Sequence, residues 1–157
     1  MPIVDTTTSS TDWMAAAIVE ARAALAHGDV PVGAVVVNLQ SGEIVARAHN
    51  ARERDNDPTA HAELLALRDA ARAARTWRLD RHALVVTLEP CPMCAGAAWA
   101  ARLELLIFGA SDPKAGAAGT LYNFAADPRL NHEMQVERGL CAQECADLLT
   151  EFFASRR

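Results

Sequence analysis

The sequence predicts an α/β fold, and three observations carry that expectation. Val32 to Asn38, Ala83 to Leu88 and Glu104 to Gly109 are nearly continuous apolar runs of strand length, the pattern of strands buried on both faces. Stretches with apolar residues at helical spacing lie before, between and after them. The residues able to carry chemistry stand at the starts of those helices or directly after a strand, where open α/β sheets gather their ligands.

The bulk numbers agree with one globular domain. A chain of 157 residues, 51% hydrophobic and 22% charged, can bury a core without disulfide or metal staples. No apolar run approaches the length of a membrane span, and the polar N-terminus has neither a basic region nor an apolar signal core. A cytoplasmic protein with no membrane partner is expected. Four cysteines suit a reducing compartment better than a disulfide framework. A net charge of -5 argues against broad nonspecific binding of nucleic acid but leaves room for a local basic patch.

In chain order, Met1 to Thr11 is rich in Thr and Ser and is expected to be a disordered lead, with residues 12–157 forming the domain. Asp12 is a candidate cap for a helix with Met14, Ala17, Ile18, Ala21 and Leu25 on one face, stopped at Gly28. Pro31 introduces the strand from Val32, Ser41-Gly42 turns the chain, and Ile44 to His49 returns as its antiparallel partner. Asn50 to Asp57 is a polar loop. A helix follows with Leu64, Leu67, Ala71 and Ala74 on its apolar face, and Arg72, Arg75 and Arg78 lie near its end, where positive charge is favoured.

Pro92 to Arg102 reads as a helix apolar on every side, which must be covered on every side, so a second copy of the chain is an expected partner. Ala115 to Ala118 is a possible helical turn, and Met134 with Val136 marks a final strand. Cys141, Cys145, Leu148, Leu149 and Phe152 form the apolar stripe of the closing helix; the two cysteines are most simply buried apolar positions. No internal repeat and no second domain are visible.

The chemistry concentrates in His61-Ala62-Glu63 and in Pro90-Cys91-Pro92-Met93-Cys94. One imidazole and two thiolates are a suitable set for Zn²⁺, one ion per chain, and three protein ligands leave a fourth tetrahedral position for water. On a helix, Cys91 and Cys94 point about 60° from each other and can reach one ion. His61 and Glu63 point about 200° apart, so they share a site only over a helix N-terminus. Asp57-Pro58-Thr59 places such an end here, with Asp57 or Thr59 as cap, and Pro92 marks a second one. Glu63 is then the group able to carry protons, and hydrolytic deamination is the implied reaction. A Cys-x-x-Cys between strand and helix is also a redox signal, so a dithiol protein using Cys91 and Cys94 stays open, as does a noncatalytic zinc-stabilised RNA-binding module.

His-x-Glu followed by Pro-Cys-x-x-Cys resembles the cytidine deaminase-like superfamily of zinc deaminases. From Trp13 to Arg157 the text is similar to its bacterial tRNA-specific adenosine deaminases. The likeness is carried by Val30-Pro31-Val32-Gly33-Ala34-Val35, Asn50, Asp57 to Glu63, Thr87 to Cys91, Phe108-Gly109-Ala110, Asp112 with Lys114, Gly116 to Gly119, Asn131-His132 and Phe152-Phe153.

That resemblance implies a three-layer α/β/α fold around a five-stranded mixed sheet, a homodimer, and conversion of the wobble adenosine of an arginine tRNA to inosine. It implies His61, Cys91 and Cys94 as zinc ligands and Glu63 as proton shuttle. Asn50 becomes a substrate contact, and the N–H of Ala62 a donor to the group on the metal. Asp112 and Lys114 become part of the loop that embraces the anticodon, and Arg156 and Arg157 a basic tail that helps hold RNA. A free-purine deaminase acting on guanine shares the zinc site and is the alternative within the superfamily.

Overall fold

A computed structural model describes residues 6–156. Its centre is one five-stranded sheet with strand order β2-β1-β3-β4-β5, built from β1 (Gly33–Asn38), β2 (Ile44–His49), β3 (His82–Leu88), β4 (Leu105–Ala110) and β5 (Gln135–Arg138). β1 runs antiparallel to β2 and to β3, while β3, β4 and β5 are parallel, so the sheet is mixed as expected. The helices are α1 (Thr6–Ala23), α2 (Arg52–Asp55), α3 (Ala62–Ala74), α4 (Pro92–Ala100) and α5 (Ala142–Ala154).

Alternation along the strands makes the layers. Val35, Val37, Val85 and Ile107 point to one face and pack with Trp13, Met14, Ala17 and Ile18 of α1 and Cys145 of α5. Ala34, Val36, Leu84, Val86, Leu106 and Phe108 point to the other face and pack with Ala62, Ala66 and Leu67 of α3 and Ala98 of α4. Both faces are covered, which is why the strands read as unbroken apolar runs.

Several sequence expectations are corrected. α1 begins at Thr6, not at an Asp12 cap, so the lead expected out to Thr11 is helical from Thr6 onward; residues 1–5 lie outside the described residues. Ser10 is buried one helical turn before Met14, and this packing overrides the weak helix preference of the Thr/Ser stretch. Leu25 falls in the 3-10 turn Ala24–His27, where the change of period rotates it out to 45% exposure. The polar loop after Asn50 contains α2. Residues 113–115 form a turn rather than a helix, and Ala118 bridges to Asn123. Cys145 is buried, but Cys141 is only half-buried at the N-cap of α5.

The topology puts one edge of the sheet to use. Because β1 is antiparallel to both neighbours, the segment entering β1 lies beside the segments leaving β2, β3 and β4. Val30 to Val32, Asn50 to Arg52, Glu89 to Cys91 and Asp112 therefore gather at that edge.

Candidate active site

His61 and Cys91 occupy equivalent positions, each the N-cap residue of its helix with extended backbone, at α3 and α4 respectively. Pro92 at the first helical position fixes the entry to α4 as expected. The cap of α3 is different from expectation. Asp57 Oδ1 accepts from the Thr59 N–H (2.8 Å) and hydroxyl (2.7 Å), closing a local turn before the helix rather than capping it. The helix starts at Ala62, whose N–H donates to Asn50 Oδ1 at 2.9 Å. A side chain from the end of β2 thus does the capping. His61, standing outside the helix proper, escapes the 200° separation from Glu63 that a regular helix would impose.

The three candidate ligands converge. His61 Nδ1 lies 3.6 Å from Cys91 Sγ and 3.5 Å from Cys94 Sγ, and all three atoms are within 4.8 Å of one another. A tetrahedral zinc with Zn–S of about 2.3 Å and Zn–N of about 2.0–2.1 Å has N···S edges of about 3.6 Å. The spacing therefore fits a metal without rearrangement.

The electrostatics fit as well. The thiol of Cys94 and the imidazole of His61 donate to Cys91, whose pKa is drawn down to about 4 against the cost of burial. Cys94, holding its proton toward Cys91 in a buried place beside Glu63, is pushed far above the ordinary thiol range. The bond to Cys91 also raises His61. One negative charge is accommodated readily and a second is not, an imbalance that a cation shared by both sulfurs removes.

Glu63, in the first turn of α3, is 4% exposed, and burial pushes its carboxyl up from the usual carboxylate range despite the opposing backbone hydrogen bond. It shares a cavity of about 240 Å³ with Asn50, His61, Cys91 and Asp112. That volume is below the roughly 300–1,000 Å³ of pockets for drug-sized ligands, so it has room for a ring system rather than for a nucleotide.

Other expected site residues are placed less simply. The Ala62 N–H donates to Asn50 Oδ1. Because Asn50 Oδ1 accepts from Ala62, its amide nitrogen remains as a donor beside the cavity. Asp112 Oδ1 accepts from the N–H groups of Lys114 (2.9 Å) and Ala115 (3.3 Å), which shapes the rim, and the Lys114 side chain is exposed. Arg156 donates to Gly28 O at 3.2 Å and covers the Phe152 ring at 4.2 Å, so it is tied to its own chain. Arg157 lies outside the described residues.

Arg52 and Phe153 also line the cavity, and sequence reasoning assigned them no role. Phe153 carried a faint signal: it neighbours the buried Phe152 on the closing helix, and an aromatic off the apolar face is 53% exposed. Glu89, also in the cavity wall, is a third omission.

The family model for MafB19-like deaminases matches residues 8–157. The chain belongs to the MafB19-like deaminase family. Within reach of this family, a tRNA-specific adenosine deaminase of Bacillus subtilis is 49% identical over 145 residues, which are 92% of this chain and 89% of that protein. A solved structure from work on A-to-I editing by tRNA:A34 deaminases at the wobble position superposes with a TM-score of 0.84 and 43% identity, over 88% of this chain and 99% of that one. A guanine deaminase from Bacillus subtilis gives a TM-score of 0.60 and 37% identity, over 64% of this chain and 63% of its own. All three relatives are deaminases by name, and His61, Cys91 and Cys94 form a group that could hold a metal ion.

Proposed function

We propose that this chain deaminates adenosine to inosine at the wobble position of a tRNA anticodon, consuming water and releasing ammonia. The observation that carries the chemistry is Glu63, a buried carboxyl of raised pKa in the wall of a ring-sized cavity shared with His61 and Cys91. The choice of substrate is supported by the likeness to tRNA-specific adenosine deaminases, at 43% to 49% identity, against 37% for the guanine deaminase from Bacillus subtilis. A tRNA substrate also places the work in the cytoplasm.

Zinc held by His61, Cys91 and Cys94 would supply Lewis acidity that makes a water nucleophilic near neutral pH. The chain's own residues do the rest. Glu63 takes the two protons of the attacking water in turn, passing the first to the ring nitrogen and the second to the departing amine, work that suits a carboxyl whose pKa burial has raised above the usual carboxylate range. Asn50 holds the start of α3 through Ala62 and offers its amide N–H groups to the target nucleoside. Asp112, Lys114 and Arg157 grip the flanking nucleotides of an unstacked anticodon loop, Arg156 joins them by giving up its contact to Gly28 O, and an arginine tRNA is the substrate expected from the resemblance.

The functional unit in this reading is a homodimer. An apolar groove between α3 and α4, with Leu64, Ala71, Ala97 and Ala100 in its walls, runs up to the exposed Trp77. Such a face is favourable to cover with a second copy.

The test incubates the zinc-loaded protein with an arginine anticodon stem-loop carrying adenosine at the wobble position, with free adenosine and with guanine. Inosine is expected in the stem-loop alone. Efficient deamination of guanine with no change in the RNA would transfer the assignment to the free-purine alternative.

A further inference from the structure

Glu89 follows β3 directly and precedes the ligand Cys91 by two residues, and its side chain is 2% exposed. No cationic side chain bonds to it among the described residues; its partners are backbone amides and one hydroxyl. Oε1 accepts from the N–H of Asp112 at 3.1 Å and from the Thr120 hydroxyl. Oε2 accepts from the N–H groups of Ala118 and Thr120, each at 3.1 Å. The loop from Asp112 to Thr120 is therefore wrapped around one carboxylate. It passes so close that a Cβ on Gly116 would stand 2.5 Å from both Cδ and Oε2 of Glu89.

The same loop supplies Asp112 and Ala115 to the cavity wall. Backbone bonds reinforce the join on either side of the carboxylate, from Glu89 N–H to Ala110 O and from Ala117 N–H to Pro90 O, both 2.8 Å. One short segment thus presents Cys91 to the pocket and, through Glu89, fixes the part of its wall that Asp112 and Ala115 supply. We infer that Glu89 is a positioning residue, its buried carboxylate holding the Asp112 to Thr120 loop in the geometry that admits and orients the substrate. The inference deepens the proposed function and rests on it for the identity of the substrate.

A carboxylate is required because each oxygen receives two donors. Glutamine has nearly the same shape but only one acceptor oxygen, and its amide nitrogen would face N–H groups. Glu89→Gln should therefore loosen the loop while leaving His61, Cys91, Cys94 and Glu63 in place. Hydrogen bonds to charged groups are the stronger ones, so an increase in KM of about tenfold or more is expected, with kcat within about threefold and one zinc per chain retained. Amide hydrogen exchange at Asp112, Ala118 and Thr120 should accelerate as well. Thr120→Val removes one donor and should shift KM in the same direction by a smaller factor.

The kinetics are run on the anticodon stem-loop, or on guanine should the unaltered protein prove to deaminate only that. Failure of the unaltered protein on the stem-loop overturns the tRNA reading and leaves the Glu89 comparison to be made on guanine. A folded, zinc-loaded Glu89→Gln protein with unchanged KM and only a lower Tm would overturn the inference. Should Glu89→Gln fail to fold, Thr120→Val decides, and an unchanged KM there counts against it equally.

Discussion

At the scale of single residues, the proposed function separates metal holding from proton transfer. Cys91 and Cys94 stand within a tetrahedral edge of His61, while Glu63 supplies no ligand atom to that group. Glu63→Ala should therefore keep one zinc per chain by metal analysis and lose turnover by at least about 10²-fold, the scale of a general acid–base contribution. Cys91→Ser, by contrast, should lose the metal; retention of zinc at full occupancy would break the ligand assignment. Asn50 combines two duties in one side chain, capping α3 at Ala62 and facing the cavity. Asn50→Ala should cost about 1 kcal/mol of stability for the lost cap, read as a lower midpoint in urea, and should reduce turnover beyond what that loss explains. Normal kinetics in a destabilised Asn50→Ala protein would leave it a cap and nothing more.

At the scale of elements, the close seat of α1 on β1 sets how the sheet edge is built. A Cβ on Gly33 would lie 2.0 Å from Ala17 O and 2.4 Å from Ala21 N, so helix backbone and strand backbone meet there with no side chain between them. Gly33→Ala has to part the two elements, and overpacking of this kind costs about 1–3 kcal/mol. Because β1 begins beside Val30 and Val32 of the cavity, the same substitution should also raise KM; chemical denaturation and steady-state kinetics on one preparation test both effects. Helix starts show how far local text reaches. Pro92 and the Cys-x-x-Cys spacing were enough to place α4, since the cap, the proline and both thiols lie within one turn. The start of α3 was not, because its cap is supplied from twelve residues upstream by Asn50, while Asp57 and Thr59 satisfy each other.

At the scale of the whole molecule, the apolar character of α4 divides between the core and the surface. Cys94, Ala95 and Ala98 are buried in the chain, whereas Met93 is 36% exposed and Ala97 and Ala100 line the outer groove with Trp77. Light scattering at micromolar concentration should find a dimer, and Ala97→Glu in that groove should shift it toward monomer. A monomer that retains full activity would remove this interface from the mechanism. No described helix is long and apolar enough to cross a membrane.

What the sequence determined by itself was the chemistry and the class of scaffold. A His-x-Glu and a Cys-x-x-Cys offer their candidate ligands within a few residues, and apolar runs such as Val32 to Asn38 identify strands covered on both sides. Only the tertiary structure decided which groups surround that chemistry. The tie from Asn50 to Ala62, the rim made by Arg52 and Phe153, the burial of Ser10 and the loop folded onto Glu89 all depend on partners brought together by the sheet edge. Periodicity and capping rules act over about one to two helical turns. A buried carboxylate whose donors lie 23 to 31 residues downstream is invisible at that range, and its identity as an anchor emerges only when β3 and β4 pair and close the loop upon it.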